Sequence, residues 1–151
     1  MSFDTNGTAA TSDGGTDRTV LFEKLAALGI AAKPVPYPAH ETVEEGKRLR
    51  GEMAGTFTKN LLLKDKKGRL FLFSIHEDRV LDLRTLHQLV GANGRLGFAS
   101  AERMEDLLGV QPGALTPLGL VRDVNRLVTA VVDASLIDAD QINFHPLVNT
   151  E

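Results

Sequence analysis

The chain has 151 residues, 42% hydrophobic and 25% charged, which is the size and composition of one globular domain able to bury roughly 70% of its unfolded surface. It has no Cys, which excludes disulfides, thiolate-bound zinc and a thiol nucleophile and fits a reducing cytoplasm. A net charge of −3 argues against a general nucleic-acid coat, and no apolar run approaches the ~18 residues of a membrane span, so neither DNA nor membrane is an expected partner.

The N-terminus also lacks the basic-then-apolar pattern of a signal peptide. Residues 1–17, rich in Gly, Ser, Thr, Asn and Asp, read as a disordered polar tail, with 18–151 a single domain. Thr16 or Asp17 is placed to cap a helix from Arg18, with Val20, Leu21, Leu25 and Leu28 at helical spacing and Gly29 as its stop. Ile30 to Val35 reads as a short strand, broken by prolines 34, 36 and 38 that stiffen the approach to His40. Thr42 and Glu45 have capping-box spacing for a helix running to about Arg50.

Thr58 to Lys64 is a strand, Asp65 to Gly68 a hairpin turn, and Arg69 to His76 the returning strand. Leu70 to Phe73 is apolar on both parities, so this hairpin is expected at the centre of a sheet covered on both faces. Asp82 is placed to cap a helix over Leu83 to Val90, a short strand surrounds Leu96, and Ser100 starts a helix that Gly109 ends. Val110 to Gly113 is a turn, with Pro before Gly pointing to type II geometry. Leu118 to Val121 begins a strand, Leu127 to Asp133 is a further one, and Asp133 to Ile137 is a helical turn. Helices alternating with strands around a hairpin give an α/β (α+β) fold with a mixed sheet.

Lys59 is the residue on which function turns. Strand alternation gives it the face of Leu61 and Leu63. Either its stem carries the charge to water from the strand's start, or its ammonium lies in an apolar surround, where lysines are often functional. The charge is uneven: between Glu44 and Arg69, eight Lys or Arg meet four acids, against nine and sixteen elsewhere. Lys47, Arg48 and Arg50 are candidate phosphate contacts, although cations also suit the end of a helix. No Gly-x-Gly-x-x-Gly, P-loop or Gly-x-Ser-x-Gly pattern is present. The four histidines (40, 76, 87, 145) lack ligand spacing, so no metal or other cofactor is expected, and His76 reads as a structural hydrogen-bonder.

Three segments together resemble the YbaK/prolyl-tRNA synthetase editing-domain superfamily: Thr58-Lys59-Asn60-Leu61, the Gly113 to Pro117 loop with its Gly-x-x-x-Pro pattern, and Asn143-Phe144-His145-Pro146-Leu147. The first and last look closest to freestanding alanyl-tRNA(Pro) deacylases of the ProXp-ala/PrdX type. The resemblance implies a barrel-like mixed sheet flanked by helices, and a domain that stops short of a further C-terminal helix and strand. It implies a cytoplasmic enzyme hydrolysing the ester of mischarged Ala-tRNA(Pro) in trans, with the tRNA acceptor end and prolyl-tRNA synthetase as partners and no cofactor. It implies that Lys59, Gly113 and His145 form the catalytic site: Lys59 holding the 3′-terminal adenosine, Gly113 presenting backbone N–H groups to the carbonyl, His145 lining the pocket. Asn60, Ser74, Ala114 and Pro117 are the expected substrate contacts, and Lys47, Arg48 and Arg50 the expected tRNA contacts.

Such chemistry needs a positioned water and a stabilised oxyanion rather than a covalent nucleophile, and no Ser-His-Asp grouping is evident. A proline pocket cannot strongly reject alanine, because a missing methylene is worth only about 1–3 kcal/mol; a second site that excludes proline by size solves this. Leu61, Leu63, Phe73 and Val131 are candidates for its wall. Deacylation of Cys-tRNA(Pro) or a Ser-bearing tRNA, and a non-catalytic tRNA- or synthetase-binding module, are the alternatives.

Overall fold

Nine residues of β1 (Thr56–Lys64) and seven of β2 (Leu70–His76) form the antiparallel hairpin on which the molecule is built, with Leu62 opposite Leu72 and Asn60 opposite Ser74. The computed structural model describes residues 8–36, 38–40 and 42–151, with side chains from residue 17 on. The turn between the strands is fixed by Asp65, whose carboxylate accepts hydrogen bonds from the backbone N–H of Lys67, Arg69 and Asn93 and from the Arg69 and Asn93 side chains. Burial pushes this carboxyl up, and the backbone and side-chain donors of Asn93 and Arg69 outweigh it, holding it well below the usual carboxylate range.

The other strands attach to the hairpin's edges. β4 (Val128–Val132) runs parallel to β2. The outer edge of β1 is shared: β3 (Gly97–Phe98) pairs antiparallel with Leu63 and Lys64, and β5 (Ile142–Asn143) pairs parallel with Thr56 and Phe57. The result is a mixed sheet flanked by helices, as expected, and it is open, its path running β3-β1-β2-β4. Leu70 through Ile75 are all buried, so β2 is covered on both faces. One face packs Leu62, Leu70 and Leu72 against Leu21, Met104, Leu108, Val110, Leu115 and Leu147. The other packs Leu63, Phe71, Phe73 and Ile75 against Leu86 and Leu96.

Helix α1 (Thr8–Ala27) begins ten residues before the expected Arg18, while residues 1–7 of the expected tail lie outside the described residues. No proline interrupts the stretch, and once the turn at Leu21 is anchored in the core each added residue costs only propagation. Asp17 is therefore no cap; it pairs with Arg122 at 2.6 Å. Helix α2 (Val43–Leu49) carries the predicted capping box between Thr42 and Glu45. Residues 30–35 form no strand: the prolines deny them a ladder. Helix α3 (Leu86–Val90) is shorter than predicted, because Asp82 caps a preceding turn by accepting from Arg84 N–H instead. Helix α4 (Ala101–Leu108) runs as expected from Ser100 to Gly109, the latter left-handed at φ 65°. Pro117–Arg122 is a 3-10 helix rather than the start of a strand: Thr116 caps the Leu118 N–H and Pro117 suits a first helical position. Helix α5 (Ala134–Ile137) follows its cap Asp133. Among the described residues no helix is long and apolar enough to cross a membrane.

Candidate active site

A cavity of about 320 Å³ lies at the end of the hairpin where β1 begins. Its floor is Phe57 and Thr58 of β1 with Asn143, Phe144, His145 and Pro146 of the segment after β5. α1 contributes Phe22 and Leu25; residues 30–35 close one side; α2 and its flanks contribute His40, Val43, Gly46, Arg50 and Met53. The volume lies at the lower end of the range for small-molecule sites.

Two imidazoles face each other in it, His40 and His145, with ring centroids 5.8 Å apart. The seat of His40 depends on Gly46, where a Cβ would stand 2.7 Å from His40 Nε2. His145 Nδ1 lies 2.9 Å from the backbone oxygen of Glu151. Burial pulls the His145 imidazole below the ordinary histidine value, the charge on a protonated His40 pulls it the same way, and the bond to Glu151 opposes both. Two residues on, Leu147 is buried at φ 71°, a backbone conformation that costs a non-glycine residue ~1–3 kcal/mol.

Asn143 fixes the floor to the loop before β1. Its Nδ2 donates to the Ala54 carbonyl at 2.9 Å, and Gly55, at φ 101°, is passed so closely that a Cβ there would lie 2.6 Å from that nitrogen. Thr58 Oγ1 donates to the Asn143 carbonyl at 3.1 Å. At the mouth, the Arg50 guanidinium is clamped by both oxygens of Glu77 at 2.8 and 2.7 Å and lies 3.6 Å over the Phe57 ring. Bidentate geometry and burial make this pair a rigid wall element rather than a loose surface contact.

Of the residues expected in the site, His145 lines the cavity. Gly113 does not: at φ 89° it occupies the turn closed by Ala114 N–H to Gln111 O at 3.0 Å, and its Cβ position would be 3.8 Å from the His40 carbonyl. It backs His40 from outside. Lys59 is also absent from the lining; it is half-buried opposite Ile75, on the face of Leu61 and Leu63. The lining takes both Phe57 and Thr58 from β1 and stops there, so of the three only His145 lies in it.

Asn60, Ser74, Ala114 and Pro117 lie outside the lining too. Asn60 Nδ2 donates to the Leu115 carbonyl at 3.1 Å and so ties the Gly113–Pro117 loop to β1, while Ala114 is packed in the core. Asn60 Oδ1 and Ser74 Oγ are buried with no hydrogen-bond partner among the described residues. Lys47 pairs with Asp78 at 2.5 Å and Arg50 with Glu77, leaving Arg48 the member of that trio with no ion pair among the described residues. The wall candidates Leu61, Leu63, Phe73 and Val131 pack in the opposite core; the apolar walls are Phe22, Leu25, Val43, Met53, Leu118 and Phe144. His76 is structural, with Nδ1 accepting from Asp78 N–H. Sequence reasoning missed His40 and Gly46; three prolines leading into His40 were the signal that it is held in place. Among the described residues no group of three His, Cys, Asp or Glu side chains could hold a metal ion.

Residues 37–151 match the family model of the aminoacyl-tRNA editing domain. The prolyl-tRNA synthetase associated domain-containing protein 1 of Danio rerio is 38% identical over 135 residues, covering 88% of this chain and 73% of that protein. The prolyl-tRNA editing protein ProX of Acetoanaerobium sticklandii is 31% identical over 134 residues, covering 88% and 81%. The crystal structure of a candidate trans-editing enzyme for prolyl tRNA synthetase aligns with a TM-score of 0.60 at 29% identity, over 80% of this chain and 73% of that one. The chain belongs to the aminoacyl-tRNA editing domain family.

Proposed function

We propose that the protein is a trans-editing deacylase that hydrolyses the ester of mischarged Ala-tRNA(Pro), the tRNA acceptor end being its ligand and prolyl-tRNA synthetase the enzyme whose errors it corrects. The observation that carries this is His145: an imidazole inside a cavity of about 320 Å³, with one nitrogen fixed by a backbone oxygen. The names of the relatives in fish and bacterium supply the link to prolyl-tRNA.

The reaction needs water to attack the ester carbonyl and the ribose oxygen to leave with a proton. A carbonyl oxygen only accepts, so the bond to Glu151 O places a proton on His145 Nδ1 and gives Nε2 the lone pair of the neutral ring. In this reading that lone pair accepts from the attacking water or an adjacent ribose hydroxyl, and the fixed ring contributes orientation more than basicity. Gly113 acts through His40. Lys59, one residue beyond the wall residue Thr58, anchors the phosphate of the 3′-terminal nucleotide outside the cavity as a point charge. Proline is excluded by the apolar walls, Phe144 and Met53 among them.

The deciding experiment is a deacylation panel with the purified protein on Ala-tRNA(Pro), Pro-tRNA(Pro), Cys-tRNA(Pro) and a Ser-bearing tRNA, with Lys59→Ala run in parallel. Alanine is released and Pro-tRNA(Pro) spared; Lys59→Ala raises KM more than it lowers kcat. Equal hydrolysis of the alanyl and prolyl esters would sink the size-exclusion argument, and binding without hydrolysis of any of them would sink the enzyme.

A further inference from the structure

We propose that the tip of the β1–β2 hairpin, with Lys64, Lys66 and Lys67 and the neighbouring Phe98, is the surface that holds the phosphate backbone of an RNA whose 3′ end lies in the cavity; this rests on the editing reading above.

The chain is acidic overall, and six of its ten arginines are spent: Arg18, Arg50, Arg69, Arg79, Arg84 and Arg122 are all ion-paired with carboxylates. The hairpin tip gathers three cations that are not. Lys64, Lys66 and Lys67 are exposed and have no ion-pair partner among the described residues. The one acid between them, Asp65, faces inward and is consumed by backbone and side-chain donors. The fold adds more cations. Lys66 N–H donates to the Asn93 carbonyl at 3.0 Å and the Lys66 stem lies over Gly94, which brings Arg95 alongside. A groove beside the hairpin is lined by Lys64, Gly68, Ser100 and Arg103. The acids on its flanks are Glu102 at the start of α4 and Asp82, whose carboxyl feels the charge of Arg95.

An aromatic residue completes the surface. Phe98 pairs with Leu63 across β3 and β1 and so takes the face opposite the Lys64 side chain, yet it is 62% exposed at the same sheet edge. An exposed ring at an edge that carries unpaired cations matches the pattern of proteins that track a nucleic-acid backbone and stack its bases.

Its position fits a ligand anchored elsewhere. Thr58 lines the cavity and Lys64 ends the same strand, six residues away, a span of about 20 Å at ~3.3 Å per residue. A stacked strand advances ~3.4 Å per nucleotide, so with the terminal nucleotide in the cavity the patch meets phosphates about six nucleotides from the 3′ end. A tRNA reaches that far, and an aminoacylated trinucleotide does not.

The test compares wild type with the triple variant Lys64→Ala/Lys66→Ala/Lys67→Ala on Ala-tRNA(Pro) and on an alanylated CCA trinucleotide, with affinity for an uncharged acceptor-stem minihelix read by fluorescence anisotropy across salt concentrations. The variant keeps its Tm, loses about tenfold in kcat/KM on the tRNA, and matches wild type on the trinucleotide. The slope of log affinity against log salt falls by about one for each lysine that meets a phosphate. A variant that matches wild type on the tRNA and the minihelix, or that loses equally on tRNA and trinucleotide, overturns the proposal and leaves the editing reading intact. If wild type deacylates neither substrate, the editing reading fails, and the minihelix decides the patch: weaker binding and a shallower slope in the variant support it, unchanged binding overturns it.

Discussion

His145 shows how much chemistry a single contact settles. Its bond to the Glu151 backbone oxygen fixes the tautomer, and burial, first among the causes, lowers its pKa from the ordinary 6.5, with protonated His40 adding to the effect. The neutral ring that the reaction uses therefore persists to lower pH than in a free histidine. The acid limb of kcat/KM against pH should fall below 6.5, and His145→Ala should remove the limb along with most of the activity. Stability carries the matching sign. Below 6.5 the unfolded chain takes up a proton that the folded chain does not, so stability falls as pH drops from 6.5 towards the folded value. An acid limb at or above 6.5 would contradict this account. The Asn-Phe-His-Pro-Leu segment made His145 visible in the sequence, but not its tautomer, which depends on the contact with the Glu151 backbone oxygen six residues on. Lys59 was equally visible, and its face followed correctly from alternation; what alternation alone did not reveal is that the lining of the cavity ends at Thr58, one residue short of it.

Helix α2 shows the same division among elements. Its start was legible because the Thr42–Glu45 capping box is local chemistry, set by spacing alone. Its purpose was not, because that lies in Gly46, which lets the ring of a residue six positions earlier settle against the helix. Gly46→Ala separates the two roles. Alanine is the better helix former by about 1 kcal/mol, so the helix itself gains. The added Cβ displaces the His40 ring from its seat and with it one wall of the cavity. Thermal melting should then show Tm held or raised while kcat/KM drops on the order of tenfold to hundredfold. Full activity in Gly46→Ala would remove the His40 seat from the mechanism. Where elements were misread, at residues 30–35 and 117–122, apolar content promised strands; the prolines and the Thr116 cap, which are as local as the capping box, took precedence over it.

At the scale of the whole molecule, the cavity joins two regions of unequal rigidity. Its floor belongs to β1 and to the segment strapped to it through Asn143, and the hairpin behind is buried on both faces. Its far wall, residues 30–35, is exposed along its length and has no ladder hydrogen bonds, and α2 is a helix of seven residues held by its cap and the Arg50–Glu77 clamp. Segments with few buried contacts open at low free energy, while core strands open only with the whole fold. A ligand that fills the cavity therefore stabilises the wall far more than the floor. Amide hydrogen exchange should show this directly. In the free protein, Leu62, Leu63 and residues 71–73 should exchange slowest, with residues 30–35 and 43–50 fastest among the cavity-lining segments. Adding a non-hydrolysable alanyl-adenosine analogue should slow exchange at 30–35 and 43–50 and leave 71–73 unchanged. Protection confined to the floor, or spread evenly through the sheet, would mean that the ligand binds somewhere other than between these two regions. The sequence analysis expected the central hairpin and the mixed sheet because both follow from alternation and turn chemistry. The cavity depends instead on how α1, α2 and the segment after β5 meet at one end of that sheet, and no single stretch of residues encodes that meeting.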